Sequence, residues 1–317
     1  MRTTLLILSA VVAQLVGPSA AAGSDLAPSA DRHSITGKAF DFSAGENPED
    51  LSFNPDGSMN ISMLGKVAQQ PPSLVRLHRS GAVTTLFKGE NGEMLTGNVR
   101  ADDGVIYYNL NSPVASRAGV WKLPPDGRPV RVAAVPGASF LNGLALHPDG
   151  RSLYIADSVA GVIWTVDIRL GTSEKWFENP ILAPTESDRF GANGVRYHRG
   201  ALWISSTAQG ALLKVSITRA GRPGRMAVVA SGVVGIDDFT FAGDHSDVAI
   251  VAANRSAEVQ VIRPGGRRIT ILSRDDGLNW PTAAEIRGSS LYITQAGLEE
   301  PHDARVWRIS TGRTREF

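Results

Sequence analysis

Four residues with oxygen-bearing side chains, Glu49, Asn142, Asn193 and Asp237, stand at one place in a pattern that recurs along the chain. Each lies two residues before the first apolar residue of a short alternating stretch. In two further copies the same place is held by Gly97 and Pro281. Two carboxylates and two amide oxygens suit a hard divalent cation such as calcium, which takes about six to eight oxygens in loose geometry. The charge of the ion offsets the cost of burying two carboxylates together. Four protein oxygens leave room for water or substrate. A cation held this way polarises a carbonyl or phosphoryl oxygen and holds a water nucleophile. Asp237 is then a candidate general base or nucleophile as well as a ligand. The competing reading is that Asn-Gly and Asp mark turns at a repeat boundary. Turn residues of that kind would be the same type in every copy, and here the types differ.

The elements that must bring these residues together are legible in residues 140–156, FLNGLALHPDGRSLYIA. Asn142-Gly143 opens the unit, and Leu144, Ala145 and Leu146 make a short strand. His147-Pro148-Asp149-Gly150 supplies a tight turn, and Ser152 to Ala156 a second strand, giving a hairpin. Six copies follow one another, their equivalent residues 44 to 51 positions apart. A period of roughly 40–50 residues with four strands per copy is that of a propeller blade. The expected fold is all-β, a six-bladed β-propeller with four strands per blade. The innermost strands are expected to start at Leu51, Val99, Leu144, Val195, Phe239 and Ala283. Blade six lacks an outer strand, and Lys38 to Ser43, KAFDFS, is the segment expected to supply it and close the ring. Closure hides an otherwise exposed sheet edge. Trp121, Trp164, Leu213 and Trp307, near the centre of the third strands, are expected to pack between blades.

Starts of innermost strands converge on the propeller axis, so the four oxygen-bearing residues meet there. Asn98 and Asp238 come one position later in their blades, and either face the same cavity or cap strands. Arg100 and Trp280 are candidate substrate contacts. The longer loops at 111–118, 179–191 and 297–303 are expected to shape the mouth of a binding site.

The chain has 317 residues, 42% of them hydrophobic, and no linker divides it, so one domain is expected. A net charge of +1 gives no drive toward nucleic acid or a membrane surface, so the expected partner is a small-molecule substrate. There is no cysteine, which excludes disulfides, thiolate nucleophiles and zinc–thiolate sites. Arg2, the apolar run from Leu5 to Val16 and Ala20-Ala21-Ala22 compose a signal peptide over residues 1–22, with cleavage near Ala22. A secreted protein is expected, with a leader over 23–37 and the propeller over 38–317. The six histidines show no ligand spacing, and no Gly-x-Ser-x-Gly elbow or phosphate-binding glycine loop occurs.

The quartet Glu49, Asn142, Asn193 and Asp237, with LNGLALHPDG around the second and GANGV around the third, resembles the senescence-marker-protein, gluconolactonase and luciferin-regenerating family of six-bladed propellers. Strictosidine-synthase-like and diisopropylfluorophosphatase propellers are related in shape. The resemblance covers residues 38 to 310. It implies that a Glu of blade one, Asn of blades three and four and Asp of blade five bind a divalent cation, usually calcium. It also implies hydrolysis of lactones or related esters on that metal. Blade one departs from the usual Glu-Gly-Pro, reading Glu46-Asn47-Pro48-Glu49, so Glu46 competes with Glu49 as ligand. Gly97 stands where some members carry a polar substrate-holding residue. The wording FLNGLAL, GANGVR and IDDFTF is nearer to exported fungal and actinobacterial members, some of which resemble hetero-Diels–Alderases.

Three functions from different classes follow. The first is a secreted, metal-dependent hydrolase of lactones or esters. The second is a natural-product cyclase or pericyclase, acting by holding its reactant in a reactive conformation. The third is a non-catalytic binding propeller, since this fold hosts many functions.

Overall fold

The computed structural model describes residues 37–43, 45–65, 70–299 and 302–310. The expected export segment, residues 1–22, and the leader up to residue 36 lie outside the described residues. Strands β1 to β24, numbered in chain order, form six antiparallel sheets of four strands. Five sheets are consecutive in the chain, over residues 48–88, 94–133, 141–178, 192–230 and 236–272. The sixth contains β22 (Pro281–Arg287), β23 (Ser290–Gln295) and β24 (Arg305–Ser310), with β1 (Lys38–Asp41) bonded to β24. In that pairing Phe40 lies opposite Val306 and Asp41 opposite Arg305.

The core lies mainly between blades. Tyr154, Ile163 and Trp176 of blade three pack with Val195, Leu202 and Ile204 of blade four. Trp203 and Leu212 of blade four meet Phe239 and Val251 of blade five. Val259 and Val261 of blade five meet Ile293 and Trp307 of blade six. Burying each of these large side chains is worth about 1.5–3 kcal/mol, so each blade is stabilised chiefly by its neighbours. Leu213 and Trp307 lie in these inter-blade clusters, as their place in the third strands predicts. The turn at His147 forms as read, with the Gly150 N–H donating to His147 O at 2.9 Å and Gly150 at φ 68°.

One feature of the strands differs from expectation. The innermost strands begin earlier, as β2 (Pro48–Phe53), β6 (Met94–Arg100), β10 (Leu141–Leu146), β14 (Ala192–His198), β18 (Ile236–Phe241) and β22. The residues read as turn therefore sit inside strands. Each of the six carries a register shift near its start: between Pro48 and Asp50, Leu95 and Asn98, Leu141 and Leu144, Ala192 and Val195, Ile236 and Phe239, and Pro281 and Ala283. A bulge bends the strand and re-aims a side chain without ending the ladder.

Candidate metal centre

The six bulges decide what faces the axis. In blades three, four and five the bulge holds Asn142-Gly143, Asn193-Gly194 and Asp237-Asp238, and in blade one Glu49 is the extra residue before Asp50. Blade two holds Thr96 and Gly97 there, and blade six holds Thr282. The counterparts of Asn142 are therefore Thr96 and Thr282, one residue away from the Gly97 and Pro281 that even spacing indicates. Thr96 Oγ1 donates to Leu141 O at 2.8 Å and Thr282 Oγ1 to Pro48 O at 3.0 Å, so both hydroxyls tie neighbouring blades together.

The other four counterparts, Glu49, Asn142, Asn193 and Asp237, line one cavity. Its interior volume is about 20 Å³, room for one water molecule or one bare cation. Hydrogen bonding fixes which atoms face it. Ser158 Oγ gives its proton to Ala192 O at 2.6 Å, and Thr207 Oγ1 gives its own to Ile236 O at 2.7 Å. Each hydroxyl can then only accept from its amide neighbour. Asn142 Nδ2 donates to Ser158 Oγ at 3.1 Å, and Asn193 Nδ2 to Thr207 Oγ1 at 2.8 Å. One N–H of each amide is thus tied to a hydroxyl, the Asn193 amide also hydrogen-bonds Asp237, and both amide oxygens are open to a ligand. Asp237 is held the same way, its Oδ2 accepting from Asn254 Nδ2 at 2.7 Å. Asn254 Oδ1 is a buried oxygen without a hydrogen-bond partner beside this carboxylate.

The electrostatics favour a cation. Burial, then the charges of Asp237, Asp50 and Asp238, pushes the Glu49 carboxyl well above its ordinary range. Glu49 still keeps some exposed area, because it faces the cavity while the protein surrounds it. Burial also raises Asp237 strongly, with Asp238 adding to it and the Asn254 amide and Arg255 opposing. Two carboxylates raised in this way lack positive charge, which a divalent ion in the cavity would supply. Among the described residues no three His, Cys, Asp or Glu side chains are grouped to hold a metal. The donor set that fits one is mixed, two carboxylates and two amides, which is oxygen chemistry suited to calcium.

The remaining candidates divide. Trp280 lines the cavity, at φ 57° and 2% exposed, with the Arg255 guanidinium 5.2 Å from its ring centroid. Arg255 is itself forked onto Asp188 at 3.0 and 3.1 Å, a link from blade five to the long 179–191 loop. Glu46 accepts from its own loop, Ser43 N to Oε2 at 2.9 Å, and is absent from the cavity wall, whereas Glu49 is part of it. Asn98 and Asp238 belong to a separate cluster. Asn98 accepts from Ser52 Oγ at 2.6 Å and donates to Ser62 Oγ at 3.0 Å, and Asp238 pairs with Arg196 at 2.7 Å. Arg100 donates to Ala101 O at 2.9 Å and does not line the cavity. Sequence spacing missed the apolar wall of Leu64, Met94, Phe140 and Phe190, and it missed Thr207, Asn254 and Arg255. Phe140 directly precedes the Leu-Asn-Gly run and Phe190 precedes Gly-Ala-Asn-Gly, so an aromatic before each Asn-Gly bulge was the available signal.

No protein-family model matches the chain, and no curated protein matches it in sequence. Solved structures do match. Regucalcin from Agrobacterium tumefaciens, a calcium-binding protein, superposes with a TM-score of 0.64 at 18% identity, over 87% of this chain and 93% of that one. The chain is a six-bladed β-propeller. The propeller also superposes on virginiamycin B lyase from Staphylococcus aureus, with a TM-score of 0.58 at 11% identity, over 87% of this chain and 99% of that one. An auxiliary nutrient binding protein from Bacteroides ovatus gives a TM-score of 0.63 at 14% identity, over 90% of the propeller and 74% of its own chain. At these identities the likeness carries the fold, and the gluconolactonase-type resemblance rests on the motifs of the sequence.

Proposed function

We propose that this propeller is a secreted, divalent-cation-dependent hydrolase of lactones or esters, with calcium as the cation. The observation that carries the reading is the convergence of Glu49, Asn142, Asn193 and Asp237 on one cavity, with both amide nitrogens tied to hydroxyls. The likeness to a calcium-binding propeller supports it. Bound there, a divalent cation supplies Lewis-acid polarisation of a substrate carbonyl. The chain's own residues do the rest. Asp237, its Oδ2 fixed by Asn254, takes the proton of the attacking water. Leu64, Met94, Phe140, Phe190 and Trp280 line the cavity and keep bulk water from the ion. Arg255, anchored by Asp188, forms part of the wall.

Chelation of the purified protein, then return of calcium, tests this against a panel of lactones and esters. Loss and recovery of turnover are expected, with Asp237→Asn lowering kcat/KM by about 10³-fold or more. Turnover indifferent to both treatments rejects the reading. A cyclase or pericyclase acting on an apolar reactant is the alternative, favoured by the apolar residues of the wall. Cyclisation of such a reactant that survives Asp237→Asn would establish that alternative.

A further inference from the structure

On the other side of the same bulges lies a second constellation that the hydrolytic reading does not use. Arg196, on β14 of blade four, reaches acidic side chains from three other blades. Its Nη2 is 2.7 Å from Asp238 Oδ2 of blade five and 3.7 Å from Asp50 Oδ1 of blade one. Its Nη1 is 3.0 Å from Glu285 Oε2 of blade six. Its Nε donates to Phe239 O at 3.0 Å. None of these four side chains lines the cavity.

Two of the acids stand next to the proposed carboxylate ligands. Asp50 follows Glu49, and Asp238 follows Asp237. Each is also pinned to backbone: Asp50 accepts from Leu51 N at 2.7 Å and Asn98 N at 2.8 Å, and Asp238 from Phe239 N at 2.8 Å. A guanidinium has a rigid planar fork, so one side chain can hold several carboxylates at fixed separations. We propose that Arg196 is a positioning residue: hydrogen-bonded to Asp238 and ion-paired with Asp50 at 3.7 Å, it holds the two acid–acid bulges together, and so sets the separation of the Glu49 and Asp237 carboxylates. This rests on the metal-centre reading above, but it concerns the chain's own geometry.

Electrostatics alone gives the opposite expectation. A positive charge near a cation site repels the ion, so removing Arg196 would tighten binding. A positioning role predicts weaker binding, because partners behind metal ligands typically contribute about 10–100-fold in affinity. Arg196→Lys separates the effects, keeping the charge and losing the fork. The experiment is calcium titration of the chelator-stripped protein by calorimetry, with circular dichroism and thermal melts of the same metal-free samples. Arg199→Met, at an exposed ion pair with Asp247 on the same blade, is the control.

Calcium affinity is expected to fall about 10–100-fold in Arg196→Lys and in Arg196→Met, with unchanged affinity in the control. Unchanged or tighter binding in a folded Arg196→Lys overturns the proposal, and so does a lowered melting temperature with affinity intact. Should Arg196→Met fail to fold, Arg196→Lys still decides. Wild-type protein that binds no calcium, magnesium or manganese removes the metal-centre reading itself. Wild-type binding with an unaffected Arg196→Lys removes only the clamp.

Discussion

The Asn-Gly bulges of blades three and four and the acid–acid bulges of blades one and five place a ligand-type side chain at the same station, but they secure it differently. In Asn142-Gly143 and Asn193-Gly194 the second residue has no side chain because the next blade is too close. A Cβ on Gly143 would lie 2.4 Å from Asn193 O, and one on Gly194 2.8 Å from Asp237 O and 2.6 Å from Asp238 Oδ1. In Glu49-Asp50 and Asp237-Asp238 the second residue is a carboxylate that reaches Arg196. Close backbone packing locates the two amides, and the shared Arg196 guanidinium stands behind the two carboxylates. The contrast teaches that one repeat position can be held rigid by two unrelated means, and that each means leaves its own signature in sequence.

The largest effect should come from breaking the first means. Gly143→Ala sets a methyl against backbone that cannot yield, and a loss of about 3 kcal/mol or more is expected in chemical denaturation, beyond ordinary overpacking. Converting the second means into the first, Asp238→Gly, takes a strong partner from a buried arginine. A loss of about 1–3 kcal/mol is expected by the same measurement, smaller because Glu285 still holds the guanidinium. Asn254→Leu leaves the Asp237 carboxylate without its amide donor, and calorimetry should show calcium binding weakened about 10-fold with the fold intact.

The remaining effect is on pH dependence, and it is carried by the acid–acid bulges together with Glu285, whose carboxyl burial also raises. Burial and Asp238 push Asp50 up to about 7 against the pull of Arg196, and Glu49 and Asp237 are raised too. In metal-free protein these groups hold protons that the unfolded chain has already released. Stability should therefore fall as pH rises from about 4 to about 7, which thermal melts of the metal-free protein would read as a falling melting temperature. Calcium, which needs the ionised forms, should bind more weakly as pH falls through the same window.

Much of this was legible in the sequence because alternation and turn chemistry repeat. The blades, the His147 to Gly150 turn and the four cavity-facing residues follow from period and spacing. The register of blades two and six was not legible, since Thr96 and Thr282 resemble neither Asn nor Asp and their hydroxyls serve the backbone. Asn98 and Asp238, read as facing the same cavity or capping strands, both lie outside the cavity lining, and Asp238 sits one residue from the axial Asp237. In a strand, that single step turns a side chain to the other face. Asn254 and Arg255 recur in no other blade, and Arg196 shares its spacing with Arg100 of blade two, so no periodic signal singles them out. The expectations for residues 1–36 fall outside the described residues.

The most direct test of the account is a crystal structure of the protein grown with calcium, with anomalous scattering used to locate the ion. The account predicts one peak in the axial cavity, about 2.3–2.6 Å from oxygens of Glu49, Asn142, Asn193 and Asp237. A cavity without a peak, or an ion bound elsewhere by other side chains, would contradict it.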